Sequence, residues 1–127
     1  METTMYGAAK SMWLVLLAVV LVAFANVVLK IRVTALGGGS SASFSYFVSL
    51  ALDPWVWSAV IAAVCSGLLY VICLRQLELS VVEPLFALVF ILVPLGAVFI
   101  LGEHLPPLRI AGLVFIFVGV ILVGQTA

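Results

Sequence analysis

The chain reads as an all-α integral membrane protein, four transmembrane helices in an up-and-down bundle, and three observations predict it. Of its 127 residues, 67% are hydrophobic and only 8% are charged, where an average soluble domain has about 25% charged residues. Mean hydropathy is +1.47, so there are too few polar side chains to cover a water-facing surface, and lipid is the solvent for most of the chain. The apolar residues also fall into four long runs, each near the roughly 20 residues needed to cross a hydrocarbon core of about 30 Å. Those runs lack the alternation of a membrane barrel strand, which leaves helices as the spanning form.

The whole chain, 1–127, reads as one four-helix membrane domain with spans at residues 12–33, 54–74, 81–101 and 108–124. The first is apolar from Met12 to Leu29 except for Asn26, and it closes on Lys30 and Arg32. Lys10 and Ala23-Phe24-Ala25 lend it some features of a cleaved signal peptide, but the apolar pattern runs on to Leu29, as in a retained span. The second runs from Pro54 to Leu74 and stops at Arg75. The third is interrupted only by Glu83, Pro84 and Pro94. Pro94 removes a backbone donor in mid-helix, so a kink is expected there. The fourth is the shortest, with Arg109 at its entrance.

Short links at 75–80 and 102–107 make spans two, three and four neighbours. The link from Val33 to Asp53 is longer and begins with the flexible Gly37-Gly38-Gly39-Ser40-Ser41 stretch. It continues with Phe44, Phe47 and Leu50 at helical spacing against Ser43, Ser45 and Ser49. That pattern serves equally a short helix at the membrane surface and an early start to the second span. Lys10 and Arg75 fall on one side of the membrane, and Lys30, Arg32 and Arg109 on the other. This balance is too even to fix orientation by positive charge, and it is compatible with insertion both ways.

Little in the chain suggests chemistry on bonds. Net charge is zero, which offers nothing to a nucleic acid. Cys65 and Cys73 lie roughly 12 Å apart along one helix, too far to bridge, and read as packing residues. His104 beside Glu103 has no metal-binding companions. There is no nucleophile–base pair, phosphate loop or metal cluster, so neither a cofactor nor an enzyme activity is expected.

Val82-Glu83-Pro84-Leu85-Phe86-Ala87, Leu101-Gly102-Glu103, Gly112 and Gly119-Val120 together resemble the closing half of an EamA domain. That domain is the repeat unit of the drug/metabolite transporter superfamily. The resemblance covers Leu77 to Gly124. Ala25-Asn26-Val27-Val28-Leu29-Lys30 is similar to the ending of first helices in four-helix members. Small multidrug resistance proteins, one such branch, use an acidic residue in mid first helix to exchange protons for cationic drugs. No Asp or Glu occurs from Ala8 to Ala51, so that exchange has no residue to run on here. The other branch, which this chain resembles more, comprises paired subunits that flip aminoarabinose-phosphoundecaprenol across the bacterial inner membrane. They too lack the first-helix acid and have a longer first link.

The resemblance implies a multi-pass protein of the bacterial inner membrane. Its expected role is that of a flippase-like carrier of a polyprenyl-phosphate-linked sugar or similar amphiphile. The alternatives are a small multidrug resistance-type exporter and a non-transporting accessory subunit of an enzyme or transporter complex. Candidate substrate-binding residues are Asn26 and Lys30, which share a helix face at i, i+4, and Glu83. Intramembrane ionisable groups are costly and therefore point to function. Lys30 could meet a phosphate, and Glu83 an amine or a sugar hydroxyl. Against this, Lys30 and Arg32 could snorkel to headgroups, and Glu83 could pair with Arg75. Glu103 reads as ordering the turn into the last helix. A homodimer, or a heterodimer with a similar four-helix subunit, is expected, because four helices alone leave little room for a polar cavity. Gly112 and Gly119 on one face of the last span would let a second copy approach closely.

Overall fold

A computed structural model describes residues 2–37 and 44–126, with side chains apart from those of residues 2–6, 8 and 9. Gly38 to Ser43, including most of the glycine-serine stretch, lie outside the described residues. Six helices follow in order: α1 Glu2–Gly37, α2 Phe44–Leu52, α3 Pro54–Leu74, α4 Leu79–Phe86, α5 Val89–Leu101 and α6 Pro107–Gln125. Four stretches are long and apolar enough to cross a membrane: Lys10–Gly37, Pro54–Leu74, Leu79–Leu101 and Pro107–Gln125. The third consists of α4 and α5 together. The four-helix membrane fold expected from composition is the fold observed.

Local chemistry sets the helix ends. Asp53 leaves the helical conformation (φ −78°, ψ 122°), and its side chain accepts from the Trp55 N–H, capping α3 ahead of Pro54 at the first helical position. The same extended residue separates α2 from α3, so α2 is a helix of its own and not an early start to the second span. Two contacts tie it down: Tyr46 Oη donates to the Val33 carbonyl (3.1 Å) and the Trp57 indole N–H to that of Ala51 (2.6 Å). Within the third span the interruption falls at Ala87–Leu88, not at Pro94. Backbone bonds there close from Ala87 to Pro84 (3.0 Å) and from Leu88 to Leu85 (3.1 Å), the tighter i→i+3 pattern. Pro94 is carried inside α5 without ending it.

Central to the packing is α1, which lies along α3 on one side and against α4 and α5 on the other, while α6 packs on α4 and α5. Spans two and three were expected to be neighbours through their short link, and they do touch through α3 and α4. The long seam of α3, however, is with α1. The reason is a match of small residues in antiparallel register. Cys73 lies against the Ser11 carbonyl (Sγ–O 4.0 Å), Ser66 Oγ donates to the Ala18 carbonyl (2.7 Å), and Ala59 and Ala62 pack with Ala25. Each step along one helix is matched by a step of seven residues along the other. Lipid tails are as apolar as leucine, so close approach and interhelical hydrogen bonds replace the hydrophobic drive here. Cys73 is buried in this seam, whereas Cys65 is exposed.

Among the described residues, one end of the bundle is closely packed and the other carries clefts. Val15 and Val19 of α1, Cys73 of α3, Val82 and Leu85 of α4 and Val120 of α6 form a buried apolar cluster at the end where α1 begins. Toward the other end the helices leave clefts between them.

Candidate functional site

Two clefts adjoin at the open end, where α1 finishes and α6 begins. The larger, about 330 Å³, runs between α1 and α5 and is lined by Asn26, Lys30, Val93, Ala97, Leu101 and Glu103 among others. The second, about 250 Å³, lies between α5 and α6. It shares Val93, Ala97 and Glu103 with the first and adds His104 and Arg109. Asn26 and Lys30, one helical turn apart on one face of α1, both line the larger cleft.

Glu103 owes its position to the end of α5. Gly102 takes a left-handed conformation (φ 68°), and the Glu103 N–H turns back to donate to the Ala97 carbonyl (3.2 Å). Glycine adopts that conformation without the steric cost that a Cβ brings. Glu103, just past this turn, lines both clefts. Among the described residues, no hydrogen bond or ion pair engages the side chains of Lys30, Glu103 or Arg109.

The neighbouring corner behaves differently. Arg32 Nε donates to Asp53 Oδ2 at 2.5 Å, the one ion pair among the described residues. Asp53 is buried, and its Oδ1 accepts from the Trp55 N–H at 2.8 Å. Burial alone would raise the Asp53 carboxyl, but the hydrogen bonds from Trp55 and Arg32 outweigh it and hold the group below its ordinary value. A smaller hollow of about 210 Å³ sits beside this pair, between Val28, Ile31, Arg32 and Trp55.

Glu83 lies at the opposite, closed end. The Tyr70 hydroxyl donates to its carboxylate, and the Tyr70 ring meets Phe86 edge-on at 4.9 Å. The charge pattern of the chain offers Arg75 as a partner for Glu83; in the structure the partner is Tyr70. Close by, Ser11 donates to the Gly7 carbonyl (2.9 Å) and stands against the Gln76 side-chain amide. The three candidate residues thus divide into Asn26 and Lys30 at one end and Glu83 at the other. From the sequence alone Glu103 reads as a turn residue. A signal for its position was present in the chain: Lys30 ends the first crossing and Glu103 follows the third, so both must emerge on the same side. Among the described residues, no cluster of His, Cys, Asp and Glu could hold a metal ion.

Comparison with known proteins gives relatives with a single name, "Probable 4-amino-4-deoxy-L-arabinose-phosphoundecaprenol flippase subunit ArnE". One from Pseudomonas aeruginosa is 36% identical over 75 residues, covering 59% of this chain and 65% of that protein. A Pseudomonas paraeruginosa relative is 35% identical over the same length. One from Pseudomonas fluorescens is 30% identical over 115 residues, covering 91% of this chain and 97% of that protein. The chain belongs to the ArnE family. It spans 65% of the length of the Pseudomonas aeruginosa ArnE relatives it matches. No family model matches it, and no solved structure does. ArnE relatives are named for transport and not for catalysis. Four membrane-crossing helices and ArnE membership make the chain a multi-pass protein of the inner membrane.

Proposed function

We propose that this chain is one subunit of a carrier that moves a polyprenyl-phosphate-linked sugar, or a similar amphiphile, across the inner membrane. The observation that carries the reading is the open cleft lined by Asn26 and Lys30, set in a bundle that exposes many large apolar side chains along its spans. An amphiphile crossing between leaflets keeps its tail in lipid, so the protein has only to shelter the polar head. A cleft with a few polar groups suffices for that. In this role Lys30 meets the phosphate and Asn26 a sugar hydroxyl. ArnE relatives are named for a substrate of this class, an amino sugar on phosphoundecaprenol.

The carrier works as a dimer, either of two copies or with a similar four-helix subunit. Gly112 and Gly119 of α6 support this, since a Cβ added at either would meet nothing within 4 Å. Glu83 is the second contact for the head group. Within one subunit it lies at the far membrane face from Lys30, so in a parallel dimer the two mark the ends of one path. In an antiparallel dimer they meet.

The test is lipid flipping by Glu83→Gln and Lys30→Met variants whose folding and membrane abundance match the parent. The proposal expects a large loss in at least one. Full flipping by both would leave these residues as structural charges and remove the site.

A further inference from the structure

The hollow of about 210 Å³ between α1 and α3 lies at the corner where the first span ends and the second begins, lined by Val28, Ile31, Arg32 and Trp55. It is not a branch of the cleft that contains Asn26 and Lys30. Two residues along an α-helix turn it by roughly 200°, so Val28 and Arg32 lie almost opposite Asn26 and Lys30 on α1. The cleft and the hollow therefore open on different sides of the helix.

Arg32 is aimed by its partner. Asp53 is buried, with both carboxylate oxygens engaged: Oδ1 by the Trp55 N–H and Oδ2 by Arg32 Nε. A guanidinium carries five N–H donors in a rigid fork, so fixing Nε fixes the plane in which the other four lie. Arg32 keeps 31% of its side chain exposed and lines the hollow. Val28 and Ile31 precede it on α1 and so lie deeper in the hydrocarbon. The corner thus offers oriented donors at the membrane boundary with an apolar wall beneath them and the Trp55 indole alongside. That order, polar acceptor above and chain below, is the order of atoms in a membrane phospholipid.

We propose that this hollow holds one glycerophospholipid of the surrounding leaflet, its phosphodiester on Arg32 and the upper part of an acyl chain against Val28, Ile31 and Trp55. Asp53 is a positioning residue: it holds the guanidinium ready, so little side-chain freedom is left to lose on binding. An arginine that only snorkels has no such fixed partner. The Arg32–Asp53 pair is neutral as a whole, and Arg32 is the one charged residue lining the hollow. The site therefore reads the phosphodiester and the chain, and is indifferent to the group beyond the phosphate. This lipid is a resident part of the folded subunit, independent of the lipid carried in the cleft.

Native mass spectrometry of the purified full chain tests this with four probes: phosphatidylglycerol, phosphatidylethanolamine, diacylglycerol and a short polyprenyl phosphate. Both phospholipids should bind with similar affinity. Diacylglycerol, which lacks the phosphate, should bind about tenfold more weakly, as loss of a charge-assisted hydrogen bond implies. Arg32→Gln should lower phospholipid binding by a similar factor. Because that change also breaks the ion pair, Ile31→Trp serves as the second variant: it fills the hollow and leaves Arg32 and Asp53 in place, and it too should displace the lipid. Lys30→Met, in the separate cleft, should retain it. Equal binding of diacylglycerol, or undiminished phospholipid binding in Ile31→Trp, would overturn the proposal. So would loss of the phospholipid in Lys30→Met, or a preference for polyprenyl phosphate over both phospholipids, since either would assign the lipid to the carrier's own cleft. The flipping test above is decided separately.

Discussion

Asp53 joins a helix cap and an ion pair in one carboxylate: Oδ1 accepts from Trp55 and Oδ2 from Arg32. Its folded pKa lies below the ordinary value, so the native state favours the ionised form more than the unfolded chain does. That contribution is fully present above the unfolded carboxylate value of about 3.9 and disappears as pH falls through the lower folded value. Asp53→Asn keeps the capping oxygen and removes the charge. Its thermal midpoint in detergent should lie below the parent's at pH 7, and the gap should shrink as acid carries the pH below the ordinary carboxylate value and through the lower folded one. A gap of constant size at every pH would show that the charge contributes nothing. The site was only partly legible at this scale. Asn26 and Lys30 could be placed together because helical spacing is a local rule. Tyr70 with Glu83 could not, because nothing in the chain brings α3 and α4 side chains into register except the packing itself. Glu103 was hidden by an adequate local explanation, the turn it occupies.

Helices meet as closely as their smallest residues allow. A Cβ on Gly96 would come within 2.9 Å of Val27 Cγ2, so α5 touches α1 at a position only glycine can fill as the helices now stand. Val27 is β-branched and stiff at χ1, so it has little freedom to yield. Gly96→Leu should cost about 1–3 kcal/mol through overpacking, and it should impair flipping by forcing apart the walls that hold Lys30 and Glu103. Unfolding in mixed micelles, alongside the flipping assay, reads both effects; unchanged stability would mean that α5 simply moves aside. The elements themselves were easy to find, since an uninterrupted apolar run admits only a spanning helix. The joint at Ala87–Leu88 was harder. Proline chemistry points to a kink at Pro94, which α5 carries in mid-helix; the tightened bonding at Ala87–Leu88 is a separate feature that no residue there advertises. The helical spacing of Phe44, Phe47 and Leu50 left α2 undecided, and the extended backbone of Asp53 resolves it.

For the molecule as a whole, the antiparallel seam of α1 and α3 does more than hold two helices together. It ends in a polar fastening at each side: Ser11 with Gln76, and Arg32 with Asp53. Along α1 these lie roughly 31 Å apart at about 1.5 Å per residue, which is the depth of a typical hydrocarbon core. The rise of α1 itself sets that separation, and the small-residue contacts hold α3 beside it in this register, so the subunit carries a built-in gauge of bilayer depth. A thinner membrane leaves apolar helix exposed to water. A thicker one draws a fastening into hydrocarbon or makes the bundle tilt, at fractions of a kcal/mol per Å of mismatch. Reconstituted into bilayers of graded acyl length, the protein should be most stable near 30 Å of hydrocarbon and lose stability on either side. A flat response across the series would mean that α1 and α3 slide past one another. If the response is peaked, acyl length becomes a control over how deep Lys30 and Glu103 sit beneath the headgroups, with no residue changed.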